Sequence, residues 1–288
     1  HLDYHETMDE YFEAKTLMFD CLKENGQAVI SVLDEWGGKL DSKLKKQGIA
    51  TATLGWSNSE KMMIKDIVLN GHTRFTVMAE GRSYEVDLPC PGKHNVYNAA
   101  LAFLSALQMG IAPVDIVRSL ASFPGVPGRF EKMHHPTGAT FIIDYAHTTD
   151  AIEFCLEAAI AHGAKRITHI YGFRGGRDTS KRGHMVSASA RLCDRFILTF
   201  DDLNGVSEED MIAELSLLNA EYGNDKGMVI PDRTEAIQFA WNDAREGDWV
   251  IITGKGPEEY KTSFRLPVSS DKETIAYLEQ ESKQTQIV

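Results

Sequence analysis

The chain has 288 residues, 43% of them hydrophobic and 25% charged, which is enough to build two domains with separate cores and too apolar for a disordered chain. Its formal net charge of −12 argues against a phosphate-tracking surface, which needs clustered Lys and Arg, so nucleic acid is not an expected partner. No apolar run reaches the length of a membrane span, and the first residues lack the order of a secretory leader, so no membrane association is expected and the expected compartment is a bacterial cytoplasm.

In chain order, "HETMDEYFEAKTLMFDCLKENG" has helical spacing with Gly26 as a stop, and Lys15 falls inside it. A strand at 28–33, a polar helix at 35–46 and a strand at 49–56 follow. The alternation of "IKDIVLNGHTRFTVMAEGRSYEVDL" predicts a β-meander with Asn-Gly and Glu-Gly turns, and two helices come after it. "PGVPG" at 124–128 breaks both periodicities and marks a domain boundary, giving 1–124 and 125–288. Beyond it strands at 141–144, 166–173, 195–200, 228–231 and 248–253 alternate with helices, which predicts an α/β fold with a doubly wound, Rossmann-like parallel sheet covered on both faces. The portion before the boundary reads as mixed α/β.

Cys21, Cys90, Cys155 and Cys193 show no C-x-x-C spacing, so neither a zinc site nor a disulfide framework is expected, and they read as reduced, mostly buried thiols. In a doubly wound sheet, ligands sit outside the carboxyl ends of the strands. Asp144 and His147, "GFRGGRD" at 172–178, "DDLN" at 201–204 and "GKGPEE" at 254–259 all follow strands, so four polar clusters are expected on one rim. Taken alone, Asp144 to Asp150 reads more readily as a polar strand end followed by a helix cap, since Thr148, Thr149 and Asp150 are all capping types.

Seven segments, "HLDYHETMDEYFEAK", "GKHNVYNAALA", "GVPGRFE", "DYAHTTD", "GGRDTSKR", "DRTEAI" and "GKGPEEY", stand in the order found in the Mur ligases, and over nearly its whole length the chain resembles that family, nearest to the branch that adds the third residue of the peptidoglycan peptide. The resemblance implies an ATP-dependent ligase of cell-wall synthesis that acts on a UDP-N-acetylmuramoyl dipeptide and a free amino acid through an acyl phosphate, with Mg²⁺. No G-x-x-x-x-G-K-[ST] phosphate loop is present. The chain is therefore expected to be the latter part of the family's central ATP-binding domain plus the C-terminal ligase domain, inactive alone and completed by an N-terminal portion of the same enzyme.

Residue by residue, the resemblance makes His1 a magnesium ligand and Lys15 a carbamoylated lysine, an anionic oxygen donor for a hard metal. It places Asn98 and Asn95 against adenine, Arg129 and Asp144 against the nucleotide's phosphates and ribose, and His147 near the transferred phosphate. Arg177 is expected to grip the carboxylate of the incoming amino acid, with Gly254 and Glu258 at its amino end. Lys181, Arg182 and Arg233 are expected in surface salt bridges. Arg174 stands where the family has a small residue, Pro257 stands where His is common, and "DDLN" replaces the Asp-Asn-Pro-Arg of diaminopimelate-adding members. With Asn204 in place of the arginine, and with Asp201 and Asp202 beside it, L-lysine is the expected acceptor. A paralogue with another acceptor, another branch of the superfamily such as a folylpolyglutamate or cyanophycin-type ligase, and a non-catalytic nucleotide-binding module remain the alternatives.

Overall fold

The computed structural model describes residues 7–69 and 73–285. The chain forms two compact units, His1–Pro124 and Gly125–Val288, which part inside the Pro-Gly-rich segment.

In the first unit the strands β1 (Gln27–Ser31), β2 (Ala50–Gly55), β3 (Met62–Val68), β4 (Thr73–Ala79) and β5 (Arg82–Leu88) form one sheet in sequence order. The β1–β2 and β2–β3 pairs are parallel and the remainder antiparallel. A parallel pair needs a crossover, and α2 (Glu35–Lys46) supplies it between β1 and β2. Strand β4 alternates buried and more exposed residues, so Phe75 and Val77 meet Val86 and the inner faces of Val96, Ala100 and Phe103 on α3 (Lys93–Gln108). Glu80 and Gly81 have φ of 52° and 72°, the pair of positive values that a tight hairpin turn requires. The Asn70-Gly71 turn lies outside the described residues.

The first helix is shorter than its spacing predicts: α1 covers Met8–Thr16 and is followed by a 3-10 turn at Leu17–Cys21. Thr7 caps it by accepting from Glu10 N at 3.2 Å. At the other end the Thr16 hydroxyl bonds back to the Glu13 carbonyl at 2.8 Å, a local bond that favours leaving the helix.

The second unit is a six-stranded sheet in the order β10-β9-β8-β11-β7-β6, built from β6 (Glu131–His134), β7 (Thr140–Asp144), β8 (Arg166–Phe173), β9 (Arg195–Phe200), β10 (Gly227–Val229) and β11 (Asp248–Thr253). All neighbours are parallel except β6, which runs antiparallel to β7 on the edge. One face packs Ile142, Ile167, Phe196 and Leu198 against the helices α5 (Thr149–Ala161), α6 (Arg182–Leu192) and α7 (Glu208–Tyr222). The other packs Phe141, Ile170, Ile197 and Val250 against α8 (Arg233–Asp243) and α9 (Asp271–Thr285). Strand β11 is buried at every position, as a central parallel strand covered on both faces must be. Thr148 caps α5, accepting from Ala151 N.

Cys155 and Cys193 are buried, Cys90 is half-buried and Cys21 is exposed, and none is bridged. Burial pushes the Cys193 thiol up to about 12, so it stays a thiol.

Candidate functional site at the carboxyl rim of the C-terminal sheet

Strands β7, β8, β9 and β11 end side by side, and their following loops are held together by close backbone approach. A Cβ on Gly175 would stand 1.8 Å from the Leu203 carbonyl oxygen, so only glycine lets the two loops meet. Across that contact Gly175 N donates to the Asp202 carbonyl at 2.9 Å, and Asn204 Nδ2 donates to the Gly175 carbonyl at 3.1 Å. Gly254, with φ of +106°, turns the chain at the end of β11 and directs Lys255 inward.

Lys255 is the organising charge of this rim. Its side chain is 1% exposed and its Nζ reaches Asp202 Oδ1 at 2.7 Å and Asp201 Oδ1 at 3.2 Å, both carboxylates being 3% exposed. Lys261 meets the other oxygen of Asp202 at 2.9 Å. Burial alone would raise the Asp202 pKa, but the hydrogen bonds from Lys255 and Lys261 outweigh it and hold that carboxyl below its usual range. Arg174 approaches the same group, with Nε 3.6 Å from Asp201 Oδ1 and Nη2 paired with Glu258 Oε2. Tyr145, from the loop after β7, donates to Glu258 Oε1 at 2.9 Å. Four loops are thus bridged by one network of three carboxylates, three cations and a phenol.

Beneath it lies a second, sealed network. Arg233 is fully buried and pairs in a fork with Asp271, Nε to Oδ1 at 2.6 Å and Nη2 to Oδ2 at 2.8 Å, while Nη2 also donates to the Thr253 carbonyl at 3.0 Å. Tyr260 donates to Asp271 at 2.8 Å, so the segment from Gly254 to Tyr260 is anchored at both ends by one ion pair. Arg233 is therefore not in a surface salt bridge, and neither is Arg182, whose side chain is 4% exposed, donates to the Arg174 carbonyl at 2.7 Å and pairs with Glu214 at 2.6 Å. Their partners lie 38 and 32 residues away, beyond what local patterning reveals. Lys181 is half-buried at the start of α6.

His169, wholly buried on β8, joins this layer through Ser189 Oγ at 2.8 Å and Thr253 Oγ1 at 2.9 Å. Burial, reinforced by the nearby charge of Arg233, lowers its pKa to about 3, so the ring is neutral in the fold. Because the folded pKa lies below the unfolded value of 6.5, this contribution to stability is complete above pH 6.5 and fades as pH falls toward 3, by about 1.4 kcal/mol per unit in between. Between pH 7 and pH 5 the unfolding free energy should fall by roughly 2 kcal/mol more in the wild type than in His169→Gln. Urea unfolding of both proteins at the two pH values measures the difference, and equal acid sensitivity contradicts it.

The residues expected at the nucleotide and metal are placed as follows. Asp144 is buried and both its oxygens accept backbone N–H groups, Oδ2 from Phe130 and Oδ1 from Ala146, each at 2.7 Å. It clamps the 128–130 segment, where Phe130 has φ of 48°, and so presents Arg129, whose guanidinium lies 4.8 Å from the Tyr145 ring centre. His147 is exposed, with Nδ1 3.0 Å from the Tyr145 carbonyl oxygen. In the first unit Asn95 donates to the Pro91 carbonyl at 2.7 Å, an engagement at the start of α3, while Asn98 on the same helix is exposed. Lys15 is exposed in the last turn of α1, its Nζ 5.5 Å from the Tyr11 ring centre. His1 lies outside the described residues. Among the described residues no three His, Cys, Asp or Glu side chains converge in a way that could hold a metal ion.

Of the expected amino-acid contacts, Gly254, Glu258, Asp201, Asp202 and Asn204 are brought together at the rim, and Arg177 stands exposed on the loop after β8. Lys255, Tyr145 and the linking role of Arg174 are missed by the sequence reading. A lysine flanked by glycines directly after the apolar run "DWVIIT" is a signal that could have marked the first of these.

Comparison with known proteins covers both units. The profile of the Mur ligase middle domain matches residues 1–106, and that of the Mur ligase glutamate ligase domain matches 128–256. A UDP-N-acetylmuramoyl-L-alanyl-D-glutamate–2,6-diaminopimelate ligase of Chlorobaculum tepidum is 33% identical over 270 residues, covering 91% of this chain and 53% of its own length. One from Alkaliphilus metalliredigens is 34% identical over 261 residues, covering 90% and 52%. A solved structure of an enzyme of that name superposes with a TM-score of 0.63 at 26% identity, over 98% of this chain and 58% of the other. The chain spans about half the length of the curated relatives it matches.

Proposed function

Because the chain belongs to the Mur ligase family, we propose that it forms part of an ATP-dependent ligase that joins a free α-amino acid to the peptide carboxylate of a UDP-N-acetylmuramoyl dipeptide in peptidoglycan synthesis. The observation that carries this reading is the rim itself: four loops at the carboxyl ends of β7, β8, β9 and β11, tied into one network of alternating charge, where a doubly wound sheet binds its ligand.

In the proposed reaction the γ-phosphoryl of ATP passes to the substrate carboxylate, releasing ADP. The incoming amine then attacks the acyl carbon, the phosphate leaves and the nitrogen gives up a proton. Charge builds on oxygens in both steps, so the protein's part is positioning and electrostatic stabilisation. Arg129 and His147, exposed beside Tyr145, are the side chains of this unit offered to phosphate oxygens. Asp144 acts by holding the Arg129 segment, with ribose contact restricted to the remaining lone pairs of its engaged oxygens. Asn98 is the better-placed of the two adenine candidates, since the Asn95 amide is engaged. Lys15, with its amine exposed, is the position for the carbamate. Among the described residues no group of three His, Cys, Asp or Glu side chains could hold the magnesium ion.

Arg177, exposed and with no ion pair among the described residues, is the group for the acceptor's α-carboxylate. In the native polypeptide, Arg177→Ala should raise KM for the amino acid about ten- to a hundredfold, the equivalent of one lost charge-assisted contact, with KM for ATP unchanged. An unchanged amino-acid KM removes Arg177 from this role. L-Lysine is expected from the sequence because Asp201 and Asp202 bear negative charge and Asn204 bears none. In the fold Lys255 and Lys261 compensate both carboxylates and the Asn204 amide is bonded to Gly175, so these three residues give no support for choosing lysine.

A further inference from the structure

The groups of the rim that solvent reaches differ from those that sequence position suggests. Asp201 and Asp202 are sealed at 3% exposure, whereas Arg174, Glu258 and Lys261 keep side-chain exposures of 27%, 34% and 67%. Glu258 is already engaged at both oxygens, by the Tyr145 hydroxyl and by the Arg174 guanidinium. An approaching ligand therefore meets two cations and one carboxylate that is twice bound. An ammonium would have to displace Arg174 from Glu258 before it gained a partner, while an anion finds the cations in place.

Arg174 is also held from behind. Its carbonyl accepts from Arg182 Nη2 at 2.7 Å, its Nε lies 3.6 Å from Asp201 Oδ1, and the next residue is locked against the 201–204 loop through Gly175. A planar guanidinium fixed on one edge by Asp201 and Glu258 keeps further N–H groups for a second acceptor, a geometry suited to a carboxylate.

We infer that Arg174 is a specificity-determining residue, which by occupying Glu258 turns the acceptor site away from a lone ammonium and toward an incoming amine whose far end carries a carboxylate. The inference rests on the ligase reading above. It assigns the choice of amino acid to the loop after β8, from a side chain that is neither in the "DDLN" segment nor expected at that place.

The test compares two acceptors that differ only by the far carboxylate, 2,6-diaminopimelate and L-lysine, in amide formation by the native polypeptide and by Arg174→Gly and Arg174→Lys. The wild type should favour diaminopimelate in kcat/KM by tenfold or more. In Arg174→Gly that ratio should fall about ten- to a hundredfold, and lysine use should rise in absolute terms because Glu258 is released, a gain that loss of folding cannot produce. Arg174→Lys, which keeps the charge without the fork, should lie between. A wild-type preference for lysine, or a ratio unmoved in both variants, overturns the inference and leaves the ligase reading intact. Failure to couple either amine in any of the proteins removes the ligase reading and this inference with it.

Discussion

Lys255→Met should lower the unfolding free energy of the Gly125–Val288 unit by about 3–5 kcal/mol, because the variant leaves two buried carboxylates without their shared cation. For a domain of this size each kcal/mol moves Tm by about 2–4 °C, so calorimetry resolves the effect easily. The pH dependence provides a second signature. In the wild type the lowered pKa of Asp202 contributes stability that is present above the unfolded carboxylate pKa and is lost as pH falls through the lowered folded value. Without Lys255 the largest remaining influence is burial, which acts in the opposite sense, so the variant's deficit should shrink as pH falls from 7 toward 5. Adding Asp201→Asn and Asp202→Asn should recover part of the loss at pH 7. A Tm within 2 °C of wild type contradicts the network as described.

Arg233→Met should be about as damaging, again about 3–5 kcal/mol, since Asp271 is wholly buried and would lose both bonds of its guanidinium partner, leaving the Tyr260 hydroxyl as its hydrogen-bond partner among the described residues. The loss should be largely reversed by pairing Arg233→Met with Asp271→Leu, because replacing both members of a buried pair removes the uncompensated charge. Chemical denaturation of the three proteins tests this, and a single variant that loses less than about 1 kcal/mol would count against the anchor.

Most of the framework was legible in the sequence because the signals were local. The apolar runs at 166–173, 195–200 and 248–253 became β8, β9 and β11 with the expected limits, since a strand buried on both faces announces itself in its own residues. Strand β6 was missed because an edge strand of the composition Glu-Lys-Met-His offers only Met133 to the core. Charges were misjudged for a different reason. Whether Arg233 is on the surface, or whether Asp201 can attract an ammonium, depends on Asp271 and Lys255, which stand 38 and 54 residues away and meet them only once the strand ends are aligned. The rim could therefore be located from the strand-end rule, but its electrostatics could not be read from the list of residues that reach it.

We propose that this chain is part of an ATP-dependent amino-acid-adding ligase. The most direct measurement is mass analysis of the product formed when the native polypeptide is given ATP, Mg²⁺, UDP-N-acetylmuramoyl-L-alanyl-D-glutamate and a mixture of free amino acids. The expected result is a nucleotide-linked product heavier than the dipeptide substrate by one amino acid less water, with one ADP and one phosphate released per amide formed. Release of ADP and phosphate with the dipeptide recovered unchanged would contradict it.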